Sequence, residues 1–324
     1  MKAVVLAAVG GPENLELQEI ATPRATPGHV VVKVGACGVS YRDIIDRRGG
    51  FAFIQTPIVL GHEFAGEIVE VGEGVAGWSV GDRALNLHRN FCGVCPHCRG
   101  GEERECSGSW EVFGLTVNGG YAEYALCGAL SLERLPEALS YEVGATMMSA
   151  AAVAYHNTRN VARVGLGDRV LVTGGSGGVG AYAVQVAKLL GATVWAVTSS
   201  EKKARALRDL GADEVIVAPD GNFHKEVQRR TEGAGLDAAV ENVGGPTFNS
   251  SLRSLRRGGR MVVIGNIDGK PVELNLGLPI VKSLAILGSD GVTRRALRET
   301  MGLVAEGRLR PAICETLPLA KAAD

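Results

Sequence analysis

An excess of either charge is missing from this chain. Across 324 residues, 34 Lys and Arg face 35 Asp and Glu, a formal net charge of -1. A surface built to hold a polyanion is therefore not expected, and the basic clusters read as solvated helix faces. No apolar run reaches membrane-spanning length. The opening MKAVVLAAVGGPENL has one Lys and a short apolar run broken by Gly and Pro. That is the pattern of a first strand rather than a secretory leader. Internal repeats and low-complexity linkers are lacking too, while the length suffices for two domains. Two parts without a linker are expected to touch and to bind a ligand in the cleft between them. The cysteines lack a pairing pattern: there are 7, an odd number, and Cys37, Cys127 and Cys314 are scattered. A reducing, cytoplasmic compartment is the expectation.

The other cysteines are clustered. Cys92, Cys95, Cys98 and Cys106 occupy FCGVCPHCRGGEEREC, among polar and glycine neighbours rather than the apolar ones that usually bury a free thiol. Four soft thiolates close a tetrahedral shell around Zn²⁺ and leave no position for water, which makes such a site structural rather than catalytic. One structural Zn²⁺ per chain is expected there, holding together a loop with no core of its own.

The texture of the chain changes near its middle. Up to about Leu126, segments such as HVVVKVGACGV, EFAGEIVEVG and GYAEYAL partly alternate apolar and polar residues, as short strands do. After Leu139 strands alternate with helices: DRVLVTG, GVGAYAVQVAKLLG, ATVWAVTS, EKKARALRDLG and DEVIVA, then LDAAVENVG, SLRSLRRGG, RMVVIGN and SLAILGS. That unit makes an α/β fold, a parallel sheet with helices on both faces.

VLVTGGSGGVG places Gly175, Gly177 and Gly180 in a G-x-G-x-x-G pattern at a strand-to-helix turn. Glycine permits the tight turn and the close approach of backbone to a pyrophosphate, which then sits on the helix N-terminus. The expected cofactor contacts are Gly175, Ser176, Gly177, Gly178, Val179 and Gly180. An acidic residue at the end of the second strand would accept from the ribose 2′-hydroxyl of NAD. Thr198, Ser199 and Ser200 stand there instead, followed by Glu201, Lys202 and Lys203. Ser199, Ser200 and Lys203 suit a 2′-phosphate, so NADP(H) is the expected cofactor.

Together, GHEFAGEIVEVGEGV (residues 61–75), the four-cysteine lobe, GGSGGVG and RRGGRMVVIG (residues 256–265) resemble the medium-chain dehydrogenase/reductase family. This family holds the zinc alcohol dehydrogenases and their quinone and enoyl reductase relatives. The resemblance covers nearly the whole chain. It implies a GroES-like β-barrel catalytic domain over 1–150, with the zinc lobe at about 86–110, and a Rossmann doubly wound parallel sheet over 151–288. Residues 289–324 would return to the catalytic domain. It also implies cofactor contacts at Asn242, Val243, Ile264, Gly265 and Asn266, and a homodimer or homotetramer paired through Leu284 to Gly288. Relatives continue past the matching PLAKAAD stretch with a helix and a last strand, where this chain has Asp324.

The departures bear on the chemistry. Zinc alcohol dehydrogenases hold a catalytic metal with two cysteines and the His of G-H-E. Here the first cysteine position is Ser40, the second is best matched by Ser149, and His62 remains. Serine hydroxyls are poor zinc ligands, so His62, even with Glu63 beside it, is not expected to retain zinc tightly. The hydroxyl that starts the alcohol dehydrogenase proton relay is replaced by Arg42, and a tyrosine of some reductase relatives corresponds to Phe51. The resemblance then points to NADPH-dependent reduction of an activated C=C or a quinone without catalytic zinc. Ser40, Tyr41, Asp43, His62 and Ser149 are the catalytic candidates, and His62 and Tyr41 the candidate proton sources. A zinc-type alcohol or carbonyl dehydrogenase is the alternative, and a crystallin-like cofactor-binding protein with little turnover a third.

Overall fold

A computed structural model describes residues 1–324. The chain divides into two compact units, one of 1–149, 291–305 and 313–324, the other of 150–290 and 306–312.

The first unit is antiparallel. Strands β1 (Lys2–Leu6), β2 (Leu15–Glu19) and β4 (Ile58–Val59) form a three-stranded sheet ordered β2-β1-β4. Strands β3 (His29–Cys37), β5 (Phe64–Val71), β6 (Arg83–Asn86), β7 (Tyr124–Gly128) and β8 (Leu132–Arg134) form a second, ordered β7-β3-β5-β6-β8. The Ala3–Ala122 bridge and the bonds Val4 N–H to Tyr121 O and Glu123 N–H to Lys2 O join the two sheets along an edge. The strands therefore curl around their apolar faces. Val30, Val32, Phe64, Ile68, Phe113 and Leu132 fill one core, and Val4, Leu6, Val59 and Leu60 another. The strand segments read from alternation near the N-terminus all appear, as β3, β5 and β7.

The second unit is a parallel sheet of six strands. They are β9 (Arg169–Val172), β10 (Thr193–Thr198), β11 (Glu214–Val217), β12 (Leu236–Glu241), β13 (Leu255–Val263) and β14 (Ala285–Gly288), ordered β11-β10-β9-β12-β13-β14. The order reverses at β9, the switch point where doubly wound sheets bind ligands beyond the strands' carboxyl ends. One boundary differs from the sequence reading. SLRSLRRGG stands in the helical place of the alternation, but the helix Gly245–Ser254 stops at Ser254 and β13 begins at Leu255. The β12–β13 register then jumps from Leu236–Leu255 to Ala238–Arg260. Gly258, at φ 73°, lets the surplus residues bulge out where a side chain would be strained.

Candidate active site

Helix α1 (Tyr41–Arg47) opens the site in the first unit. Ser40 is its N-cap: the hydroxyl accepts from Arg42 N–H at 3.2 Å, and Asp43 Oδ2 reciprocates by accepting from Ser40 N–H at 2.8 Å. Such a cap is worth about 1 kcal/mol and ties up the Ser40 side chain. Asp43, on the first turn, uses its other oxygen on His62: Nδ1 lies 3.1 Å from Asp43 Oδ1. The His62 backbone is fixed by Asn86, whose Nδ2 donates to His62 O at 2.8 Å while its Oδ1 accepts from Phe64 N–H at 2.7 Å. Gly61 precedes it at φ 92°, and a Cβ there would come within 2.6 Å of the Tyr121 ring and 2.7 Å of Cys37 Sγ.

The other face of the imidazole meets Ser149, with His62 Nε2 and Ser149 Oγ 2.9 Å apart. Ser149 lies on a π-helical turn, Met147–Ala152, and Glu63 Oε2 accepts its backbone N–H at 3.0 Å. Asp43, His62 and Ser149 thus form one hydrogen-bonded line, with Asp43 3% and His62 1% exposed and Ser149 half-buried. The structure brings these three together. Ser40 is spent on its cap, and Tyr41 sits exposed at the start of α1.

Electrostatics settle the resting charges. Burial, then the Arg42 guanidinium, hold the His62 imidazole below its usual range against the pull of Asp43. Burial opposes the charge on Asp43, but His62, the Ser40 N–H and Arg42 outweigh it and keep the carboxyl low. A neutral imidazole with Nδ1–H on the Asp43 carboxylate leaves Nε2 to accept from the Ser149 hydroxyl. Glu63 is pushed well up by burial and by Asp43, and the Tyr121 phenol likewise. Asp46, fully buried with Arg42 Nε 3.2 Å away, is raised by burial to about 7.

Beside the His62 imidazole, the positions of the family's zinc ligands offer two serine hydroxyls, which are poor ligands for a catalytic zinc. At 2.9 Å, His62 and Ser149 are hydrogen-bonded to each other. Ser40, the remaining position, caps α1.

The cysteine lobe fits a metal. The sulfurs of Cys92, Cys95, Cys98 and Cys106 all lie within 4.8 Å of one another, and none is in a disulfide. Backbone N–H groups point at the sulfurs, Cys95 N to Cys92 Sγ at 3.4 Å and Cys98 N to Cys95 Sγ at 3.5 Å. That polarity suits thiolates, and backbone donors hold Cys95 down at about 5. Arg89, which the sequence does not single out, braces the lobe by donating to the carbonyls of Arg104, Cys106 and Ser109.

In the second unit, the glycine turn follows β9 and leads into helix α2 (Gly178–Leu189), with Gly177 at its N-cap. Gly175 and Gly180 are buried, and a Cβ on Gly180 would sit 2.1 Å from Gly174 O. They pack the turn, while Ser176, Gly177 and Gly178 are exposed, with Val179 half-buried beside them. The first amides of a helix lack intrahelical partners, so this turn presents donors to an anion. Ser199 is exposed after β10, Ser200 caps helix α3 (Glu201–Asp209) without using its side chain, and Lys203 is exposed on the first turn. Thr198 Oγ1 and Asn242 Oδ1 are buried without partners. Open amides and orphaned polar atoms at the carboxyl ends of the strands fit a dinucleotide.

Glu241, another residue the sequence reading passed over, organises that end of the sheet. It is fully buried and accepts from Thr173 Oγ1 (2.8 Å), Val243 N (3.0 Å), Gly244 N (3.0 Å), Thr247 Oγ1 (2.6 Å) and Ser251 Oγ. Asn242 and Val243 are held in place this way. Gly265 packs so closely that a Cβ would meet Asn242 O at 2.1 Å, and Ile264 N–H donates to Glu241 O at 2.9 Å. Asn266, next in the chain, is exposed. The sequence-predicted cofactor residues therefore lie on four loops, at the carboxyl ends of β9, β10, β12 and β13.

Comparisons with known proteins agree with both units. The alcohol dehydrogenase GroES-like domain family matches residues 26–137, and the zinc-binding dehydrogenase family matches residues 178–306. The acryloyl-coenzyme A reductase of Metallosphaera sedula is 39% identical over 320 residues, covering 98% of this chain and 93% of that protein. An NAD-dependent alcohol dehydrogenase of Saccharolobus solfataricus is 32% identical, covering 99% of this chain and 94% of its own. Among solved structures, AibC superposes with a TM-score of 0.92 at 46% identity, covering 100% of this chain and 90% of AibC. Escherichia coli quinone oxidoreductase complexed with NADPH gives 0.85 at 26% identity, covering 100% and 94%. With its GroES-like unit of curled antiparallel sheets, its Rossmann sheet and these relatives, the chain belongs to the medium-chain dehydrogenase/reductase family of oxidoreductases.

Proposed function

We propose that this protein is an NADPH-dependent reductase of an activated C=C bond, an enone or an enoyl thioester, working without catalytic zinc. The observation that carries this is the donor set around His62: Ser40 and Ser149 offer only neutral hydroxyls, the first spent on the cap of α1 and the second hydrogen-bonded to His62 Nε2 at 2.9 Å. A carbonyl conjugated to the double bond accepts hydride at its β-carbon without a Lewis acid on a simple alcohol. The acryloyl-coenzyme A reductase similarity, at 39% identity against 32% for the alcohol dehydrogenase of Saccharolobus solfataricus, favours this reading over the alcohol dehydrogenase one.

When bound, the cofactor supplies the hydride. The exposed turn at Ser176, Gly177 and Gly178 holds its pyrophosphate, and Ser199, Ser200 and Lys203 hold the 2′-phosphate by hydroxyl donors and charge. Asn242 and Val243, anchored by Glu241, and Ile264, Gly265 and Asn266 line the nicotinamide half. Cys92, Cys95, Cys98 and Cys106 hold one structural Zn²⁺, which stabilises the lobe and takes no part in turnover. The cysteines, all free, suit a reducing compartment such as the cytoplasm. The chain pairs into a homo-oligomer through β14, an edge strand whose Ile286 is exposed, as are Leu276, Ile280 and Val281 shortly before it in the chain.

The test is cofactor consumption with acryloyl-CoA and a simple enone, against NADP⁺ reduction with alcohols. The proposal expects NADPH oxidation with the activated alkenes and a Lys203→Glu variant that loses NADPH affinity far more than NADH affinity. Alcohol oxidation alone, or NADH preference in the unmodified protein, contradicts it.

A further inference from the structure

We propose that Asp43, His62 and Ser149 form a one-proton relay in which the Ser149 hydroxyl protonates the enolate left by hydride addition. The inference rests on the reductase reading above and names the proton donor that reading lacks. Geometry carries it: Nδ1 to Asp43 Oδ1 is 3.1 Å and Nε2 to Ser149 Oγ is 2.9 Å, both within proton-transfer reach. Asp43 and His62 are sealed from solvent, so Ser149 is the only opening of the line. The Glu63 bond to its amide fixes where that opening points.

The His62–Ser149 contact works in two directions. With a neutral ring, Ser149 donates to Nε2 and its proton is turned inward. With a protonated ring, Nε2–H donates to Oγ, and the hydroxyl proton is released outward. After hydride has added at the β-carbon, the π electrons sit on the carbonyl oxygen. Their return forms the new C–H bond at the α-carbon with the Ser149 proton. Oγ takes the Nε2 proton in the same event, and His62 ends neutral with Nδ1–H still on the Asp43 carboxylate. Water reprotonates the ring through Ser149 before the next turnover, so one proton and one hydride are consumed per double bond.

The charged and titratable groups around the ring are Arg42, Asp43 and Asp46 on α1, together with Glu63, His88, Cys37 and Tyr121. Burial and Arg42 disfavour the imidazolium, so the loaded form grows toward acid pH and the reduction rate should fall as pH rises.

The experiment compares wild type, Ser149→Ala and Ser149→Thr with acryloyl-CoA and NADPH. General acid catalysis is worth about 10²–10⁴-fold. Ser149→Ala should lose about 10²-fold or more in kcat with little change in KM, together with the pH dependence and the solvent deuterium isotope effect. Ser149→Thr should restore both. Nitrogen NMR of cofactor-free protein should show His62 protonated at Nδ1, with an Nε2 shift that moves in Ser149→Ala. A Ser149→Ala variant with wild-type kcat and pH profile overturns the relay while leaving the reductase reading standing, as does a His62 unprotonated at Nδ1. A wild type that reduces neither activated alkene overturns both.

Discussion

Asp46 shows how far single residues here depart from their sequence character. Nothing in YRDIIDR marks the second aspartate as different from the first, yet Asp43 is stabilised as a carboxylate while Asp46 is raised to about 7. The difference lies in partners: Asp43 receives His62 and the Ser40 amide, whereas Asp46 has only a poorly aligned Arg42. A carboxyl whose folded pKa exceeds its unfolded one binds its proton more tightly in the native state. Its cost is absent below about pH 4 and grows as pH rises toward 7, at up to roughly 1.4 kcal/mol per unit. Asp46→Asn should therefore remove much of the stability lost by wild type between pH 5 and pH 8. Urea unfolding at the two pH values checks this, and an unchanged pH dependence in the variant contradicts it. Ser40, Asp43, His62 and Ser149 were legible as candidates, because motif spacing marks positions. That Ser40 is a cap and Ser149 a partner of His62 was not, since a π-helical turn at Met147–Ala152 has no sequence signature.

At the scale of elements, the segments with strong local chemistry are the ones the sequence announces. The four cysteines and the glycine turn each need particular residue types at fixed spacing, so their pattern survives in one dimension. The β12–β13 bulge and the Glu241 hub arise from strand pairing between distant segments, and no local pattern carries them. The lobe has little core of its own, with only Glu103 and Cys106 buried between Cys92 and Cys106. In isolated zinc-finger peptides such a site contributes about 10–16 kcal/mol of binding free energy, which is folding free energy. Cys98→Ser should accordingly lose the lobe's zinc and lower the thermal midpoint by several degrees, read by metal analysis and calorimetry. A variant that retains both metal and midpoint would remove the structural role.

For the whole molecule, the change of texture at residues 126–139 foretold a unit of short strands followed by a parallel α/β unit, because apolar periodicity reports directly on which faces are buried; the antiparallel pairing of the first unit was implied only through the family resemblance. The β14 edge is a whole-molecule feature as well. An apolar edge strand left unpaired invites uncontrolled association, and symmetric pairing satisfies its backbone groups. Sedimentation at micromolar concentration should show a dimer or tetramer, with Ile286→Lys shifting it toward monomer. A wild-type monomer contradicts the pairing. The cysteine lobe and the serine-lined site together describe a family member whose metal stabilises and does not catalyse. Zinc per chain, measured together with NADPH-dependent reduction before and after chelation that spares the cysteine lobe, tests it most directly. Close to one zinc per chain and an unchanged rate are expected. Two zinc ions per chain, with the rate following the second, would contradict it.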